Sequence, residues 1–170
     1  IGISSVYMLF TVFNKLYMDK VFKSSLVEKG ISYQRFSLQP SILNNVLWYG
    51  IAETEDNYQV AYYSLFDSGN RFSDWKTLPK IRALKKEDYN DIKGLAWFSN
   101  DYYSVERLEG NDYLYKDLRY PLIETKDGYK AVFNLKLYKT YARLNMKPFV
   151  PEMEDFSFAM NLLWIRMKGI

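Results

Sequence analysis

The feature that most constrains the fold is a pair of aromatic-rich segments joined by a short acidic turn. Val46–Thr54 and Tyr58–Phe66 flank Glu55-Asp56-Asn57, and Asp and Asn suit tight turns because they tolerate left-handed backbone and bond their own main chain. Turn residues separate two more pairs of candidate strands, at Glu109–Asp112 and at Asp127–Gly128. Three hairpins without strand–helix alternation predict an antiparallel sheet and argue against a doubly wound parallel one.

The segments around these hairpins predict one more strand and two helices. Ser32–Gln39 alternates between apolar and polar side chains before a proline, as a strand followed by a turn does. Apolar residues recur at helical spacing up to Gly30, which predicts one helix over about Ser4–Lys29. A shorter amphipathic helix is predicted over Leu84–Ser99. The sequence therefore predicts an α+β fold: a long N-terminal helix packed on a mostly antiparallel sheet of about six or seven strands, with one short middle helix.

Two segments are less regular. Asp67–Lys80 contains glycine, asparagine and proline around two aromatic residues, which predicts an ordered loop. Phe156–Ile170 fits either a strand or a helical turn. A chain of 170 residues suits one compact domain. Residues 1–30 are therefore predicted as an N-terminal helix, and residues 31–170 as a single soluble α+β domain.

The composition limits the chemistry that the chain itself can perform. It has no His and no Cys, so it lacks the usual general base at neutral pH, the commonest metal ligand and any thiolate zinc site. A conventional nucleophilic triad cannot be assembled, and a metal site would have to use Asp, Glu and Asn oxygens. With 23 basic and 20 acidic residues the net charge is +3. This balance does not indicate nucleic acid, and no nucleic-acid partner is expected.

The first thirteen residues are strongly apolar. Ile1–Phe13 carries no charged side chain, and it is too short to cross a bilayer, which needs about 20 apolar residues. One interpretation is a helix packed across the sheet. The other is the end of a membrane helix, followed by Lys15, Lys20 and Lys23 at the membrane boundary. The positive-inside rule then predicts a domain on the cytoplasmic face.

One cluster of polar and aromatic residues is a candidate binding site, because arginine, amides and aromatic rings around a proline turn can orient a small molecule in a pocket. The structural alternative is that Asn44 and Asn45 cap the turn after Pro40 and that Trp48 anchors the core. Separately, Glu53, Glu55, Asp56 and Asp67 could pair for acid–base work or hold a cation, although such residues more often solvate a turn. The candidate ligand-binding residues are Arg35, Gln39, Asn44, Asn45, Trp48, Tyr49 and Glu53.

Part of the chain resembles a known membrane-protein family. Gln39–Leu65, with the preceding Asn14–Phe22, is similar to the soluble C-terminal part of the membrane-bound metal-dependent hydrolases, the YdjM-like inner-membrane proteins. The family's Pro-x-x-x-Asn-x-x-x-Trp turn is matched by Pro40, Asn44 and Trp48. The resemblance is confined to the N-terminal half of the chain.

The resemblance implies an accessory soluble domain that is not catalytic by itself. Ile1–Phe13 would be the end of a membrane helix at the bacterial inner membrane. The partners would be the membrane-embedded N-terminal portion of the same protein and the membrane surface. The family's metal ligands lie in that embedded portion, so a divalent metal is expected there and no cofactor is expected in this chain. No catalytic residue is assigned.

Two other functions remain open. The Pro40–Tyr49 loop could serve a ligand-binding or protein-interaction module, which requires a concave pocket at that loop. A carboxylate-only metal-dependent hydrolase would instead need a divalent cation near Glu53 and Asp56, with metal–oxygen bonds of roughly 2.3–2.6 Å for calcium.

Overall fold

The computed structural model describes residues 2–41, 45–125, 128–141, 143–149 and 153–169. The α+β class, the long N-terminal helix and the antiparallel pairing are confirmed. The prediction of one sheet of about six or seven strands is corrected, because the described residues form two four-stranded sheets. The predicted short middle helix is present at Asn90–Phe98, and the described residues contain a third helix, Met153–Met167, that the predicted fold did not include. The elements are α1 (Gly2–Glu28), β1 (Arg35–Pro40), β2 (Leu47–Glu53), β3 (Asn57–Ser64), β4 (Ser73–Pro79), α2 (Asn90–Phe98), β5 (Tyr103–Arg107), β6 (Asp112–Thr125), β7 (Gly128–Thr140), β8 (Arg143–Pro148) and α3 (Met153–Met167).

The chain divides into two compact units. The first unit comprises Ile1–Leu78 and Trp164–Ile170, and the second comprises Pro79–Leu163. The first contains α1 and the sheet β1-β2-β3-β4, and the second contains α2 and the sheet β5-β6-β7-β8. That residues 31–170 act as a single domain stays a prediction.

Strand order in the first unit follows chain order, as hairpin-connected strands do. β1 pairs antiparallel with β2, with Arg35 opposite Glu53. β2 pairs antiparallel with β3, with Leu47 opposite Ser64. The hairpin predicted around the acidic turn is therefore confirmed.

The fourth strand corrects the prediction of a loop over Asp67–Lys80. The turn residues Gly69 and Asn70 occupy bends, but Ser73–Pro79 continues as the edge strand β4. Its side chains are half-buried or exposed, so the strand has no strong apolar pattern. A proline is tolerated in an edge strand because the missing N–H faces away from the ladder.

α1 packs on one face of this sheet with its second half. Met18, Val21, Phe22 and Leu26 are buried there, at the three- and four-residue offsets that place side chains on one helix face. The prediction of a helix packed on a sheet holds for this half. The sheet side of the core consists of Leu38, Trp48, Ala52, Ala61, Tyr63 and Phe72.

Phe22 lies at the centre of this core. Its ring is fully buried and contacts Phe36, Phe72 and Trp75 at centroid distances of 5.5, 4.7 and 5.8 Å. The same ring lies against the backbone of Gly50, where an added Cβ would be 2.4 Å from a ring carbon. Glycine in the interior of β2 is therefore explained by the close approach of backbone and ring.

The first half of α1 remains exposed. Among its described side chains, seven large apolar ones are each between 51% and 68% exposed. Within the ranges that the structure describes, no helix combines the length and apolarity needed to cross a membrane. The seven residues, here called the apolar half of α1, are Val6, Tyr7, Met8, Leu9, Phe10, Val12 and Phe13.

In the second unit the strands also pair in chain order. β5 pairs antiparallel with β6, and β6 pairs with β7 from Asp112 opposite Tyr138 to Thr125 opposite Gly128. Both remaining predicted hairpins are thus confirmed, although Asp127 itself lies outside the described residues. β8 was not predicted, because five of its six side chains are exposed and leave no alternating apolar pattern.

α2 is shorter than the predicted Leu84–Ser99 helix, because the charged residues before Asn90 form turns and only Asn90–Phe98 is helical. Its first turn is fixed to β8 through Asp91, which accepts hydrogen bonds from the Leu144 N–H and the Arg143 guanidinium, both at 3.1 Å. The Leu144 bond, supported by Arg143, holds the pKa of Asp91 below its ordinary value. The C-terminal segment from Phe156 onward, whose sequence fits either a strand or a helical turn, is helical up to Met167 and belongs to α3.

Candidate functional site

The candidate binding residues divide between the two faces of the first sheet and therefore do not line one pocket. Successive residues of a strand point to opposite faces. Trp48 belongs to the core with α1, whereas the adjacent Tyr49 places its ring 5.3 Å from that of Tyr62. Both side chains are buried.

Arg35 and Glu53 form an ion pair across β1 and β2. They are directly opposite each other in the register, and the Arg35 Nε donates to Glu53 Oε2 over 2.5 Å. Gln39 is half-buried on the same face of β1, opposite Tyr49. Asn44 lies outside the described residues. The structure therefore explains Arg35 and Glu53 as a cross-strand pair.

Asn45 fastens the loop after β1 to α1. Its backbone carbonyl accepts hydrogen bonds from Asn14 Nδ2 at 3.0 Å and from Trp48 Nε1 at 3.1 Å. Its side-chain amide donates to the Tyr7 hydroxyl at 2.9 Å. Nearby, Lys15 Nζ donates to the Leu38 carbonyl at 2.9 Å. These contacts support the structural interpretation of the loop, because its polar groups anchor the helix.

Two of these anchoring residues, Tyr7 and Asn14, were missed in the sequence. Asn14 is almost fully buried, and it precedes the buried Met18 by one helical turn. The signal that could have identified Asn14 is an amide in an otherwise apolar helix segment, at a position that falls on the buried face of the helix. Tyr7 carries no comparable signal.

The candidate carboxylates do not form a metal site. Glu55 and Asp56 are exposed in the turn between β2 and β3, and Glu53 is engaged by Arg35. In the part of the chain that the structure describes, no three carboxylates are grouped so that they could hold a metal ion. The fourth candidate, Asp67, belongs to a different cluster.

That cluster is centred on Arg166, in the last turn of α3. Its guanidinium donates to both oxygens of Asp67, at 2.7 and 2.8 Å, to Asp74 at 2.6 Å and to the Ser73 hydroxyl at 2.7 Å. A cavity of about 340 Å³ adjoins the cluster, with Arg71 also in its wall. Burial acts to lower the pKa of Arg166, but the hydrogen bonds to Asp67 and Asp74 outweigh it and raise the pKa.

The opposite charges in the Arg166 cluster largely offset one another. One guanidinium is matched by two carboxylates, so neither a strong anion site nor a strong cation site results. Backbone geometry around it is unusual: Asp74 has φ 56°, and Gly169 has φ 76°. A Cβ at Gly169 would be 2.6 Å from the Phe66 carbonyl oxygen. The cluster therefore fastens the end of α3 to Asp67 and to the first residues of β4.

A second buried ion pair lies in the second unit. Asp117 is fully buried and accepts hydrogen bonds from Arg119 Nη2 at 2.6 Å and Arg119 Nε at 3.1 Å. The hydrogen bond to Asp117 raises the pKa of Arg119. The guanidinium also lies 5.0 Å from the Phe98 ring centroid. The Asp117 carboxylate thus receives its hydrogen bonds from Arg119 on the same strand, which favours a structural role for this pair.

The comparisons with known proteins are negative: the chain matches no protein-family model, no curated protein and no solved structure.

Proposed function

We propose that this chain is a non-catalytic accessory module that associates with the bacterial inner membrane through the apolar half of α1. The observation that carries the proposal is the contrast between the two halves of that helix. One face of its second half is buried on the sheet, whereas the described side chains of its first half include seven exposed apolar ones at consecutive or nearly consecutive positions. Contiguous exposed apolar surface of this kind is typical of protein or membrane contact sites.

The energetics favour insertion of this half into lipid. Fully burying a large apolar side chain contributes about 1.5–3 kcal/mol, so roughly 1 kcal/mol is available from each half-exposed one. The exposed Lys20 and Lys23 contribute about 1 kcal/mol each at an anionic surface. Lys15 contributes less, because it is paired with Asp19 at 2.9 Å. Apolar transfer therefore dominates, and binding is expected to persist in neutral lipid and in salt.

The length of the segment fits partial insertion. Residues 2–13 of a helix span roughly 18 Å at 1.5 Å per residue, which is less than the hydrocarbon thickness of about 30 Å. The resemblance to the YdjM-like inner-membrane proteins supports the same location and adds a membrane-embedded N-terminal portion of the parent protein as the partner. In this proposal that portion holds the hydrolase chemistry and any divalent metal.

The two alternative functions find less support. A ligand-binding module at the Pro40–Tyr49 loop requires convergent polar groups, and the described ones are engaged with α1 or separated by the sheet. A carboxylate-only hydrolase requires grouped acidic residues, and Glu53 is held by Arg35. Among the described residues, no specific contact favours either function.

The proposal is tested by flotation with phosphatidylcholine vesicles. Native protein should float with the vesicles, at low and at high salt. The double variant Leu9→Glu/Phe13→Glu should bind at least about tenfold more weakly, because two charged side chains replace apolar ones that enter lipid.

The matched control is Val27→Glu. Val27 is 76% exposed in the half of the same helix that packs on the sheet, so this variant should bind like the native protein. Native protein that stays in the soluble fraction, or a double variant that floats as well as Val27→Glu, would contradict the proposal.

A further inference from the structure

The tip of the β7–β8 hairpin carries an unusual residue. Tyr141 is 95% exposed and has φ 55°, and it lies between Thr140 and Arg143, which pair across the hairpin. Short hairpin turns with positive φ strongly favour Asn and Gly. A bulky residue in this conformation is a genuine outlier, and such strain is concentrated at functional sites. Folding alone therefore does not account for a tyrosine at this turn.

The hairpin that presents Tyr141 is strongly basic. Residues 128–149 contain five Lys or Arg residues and no Asp or Glu. Two of the cations are paired with acids from elsewhere in the second unit, Lys136 with Asp112 and Arg143 with Asp91. Arg143 is nevertheless 81% exposed, and the exposed Lys139 precedes Tyr141 by two residues. A fully exposed aromatic ring is thus flanked on both sides by exposed cations.

We infer that the tip of the β7–β8 hairpin is a contact site for an anionic lipid surface, with Tyr141 in the headgroup region and Lys139 and Arg143 against lipid phosphates. Tyrosine is enriched at membrane–water interfaces because its ring is amphipathic. Lys and Arg near anionic lipid add attraction that falls off within a Debye length. The choice of lipid among polyanions rests on the proposed function. Single-stranded nucleic acid is less well matched, because it needs successive stacking rings in a positive groove.

Replacing Tyr141 with asparagine separates the effect on stability from the effect on lipid binding. In Tyr141→Asn the new side chain suits the turn, so the urea midpoint of unfolding should stay the same or rise. Affinity for vesicles containing phosphatidylglycerol should fall about threefold or more at low salt, because the ring in the headgroup region is lost. Lys139→Gln should lower the same anionic affinity about fivefold, and high salt should remove that difference. Tyr141→Trp should retain native affinity.

The matched control is Trp97→Asn, which removes another exposed aromatic ring of the second unit, 82% exposed on α2, and should leave vesicle binding unchanged. The inference is overturned if Tyr141→Asn binds anionic vesicles like the native protein. It is also overturned if phosphatidylglycerol adds no affinity, or if the hairpin variants lose binding to a single-stranded oligonucleotide but not to vesicles. Failure of the hairpin inference can be distinguished from failure of the proposed insertion of α1. Insertion of α1 predicts binding to neutral vesicles, whereas the hairpin contact predicts the additional affinity for anionic vesicles.

Discussion

Replacing Gly50 with alanine should destabilise the protein by about 2 kcal/mol, and prior removal of the Phe22 ring should abolish most of that penalty. The added methyl group would lie 2.4 Å from the Phe22 ring, which is held by Phe36, Phe72 and Trp75 and cannot move away freely. Phe22→Ala alone should cost about 3–5 kcal/mol through lost burial and an unfilled cavity. In the double variant the methyl group enters that cavity.

A double-mutant cycle of urea denaturation, followed by tryptophan fluorescence, measures this coupling. Gly94→Ala is the matched control: nothing lies within 4 Å of the position of its Cβ, so the change in a helix interior should stabilise by up to about 1 kcal/mol. Additive effects of Gly50→Ala and Phe22→Ala would contradict the packing described for the first unit.

Replacing Arg166 with alanine should destabilise the protein by about 3 kcal/mol, because it leaves the Asp67 carboxylate without its charged partner in a partly buried site. Arg166 and Asp67 side chains are only 17% and 15% exposed, and they share two hydrogen bonds. Asp67 would keep one bond, from the Ser64 N–H at 3.0 Å. That single hydrogen bond does not offset the cost of leaving the Asp67 carboxylate without a positively charged partner.

Arg143→Ala is the matched control for charge and size. It removes a guanidinium that also pairs with an aspartate, but Arg143 is almost fully exposed, so the loss should be no more than about 1 kcal/mol. Equal unfolding free energies for the two alanine variants, measured by urea titration, would show that the Arg166 cluster does not hold the C-terminal residues in place.

Local signals made the hairpins predictable. The acidic turn before β3 and the Gly110 turn before β6, where glycine has φ 71°, are determined by residues adjacent in sequence. The two-sheet arrangement was not predictable in the same way, because nothing local indicates that pairing stops after β4 and starts again at β5. Edge strands β4 and β8 were hidden by their exposure, which removes the alternating apolar pattern.

The candidate binding residues are separated from one another for a related reason. The amides, arginine and aromatics around Pro40 are close in sequence, but strand alternation sends Trp48 and Tyr49 to opposite faces. Conversely, Arg166 contacts residues 92 to 104 positions away, and no local pattern encodes such a pairing. The apolar start of α1 was visible in the sequence, because seven large side chains within a few turns stand out from composition alone.

The most direct test of the membrane proposal measures where α1 lies in a bilayer. The native chain has no cysteine, so Leu9→Cys and Val27→Cys each create one site for an environment-sensitive fluorophore. In vesicles whose lipids carry bromine on the acyl chains, the label at position 9 should be strongly quenched and the label at position 27 should not. Equal quenching at both positions, or none at position 9, would contradict insertion of the apolar half of α1.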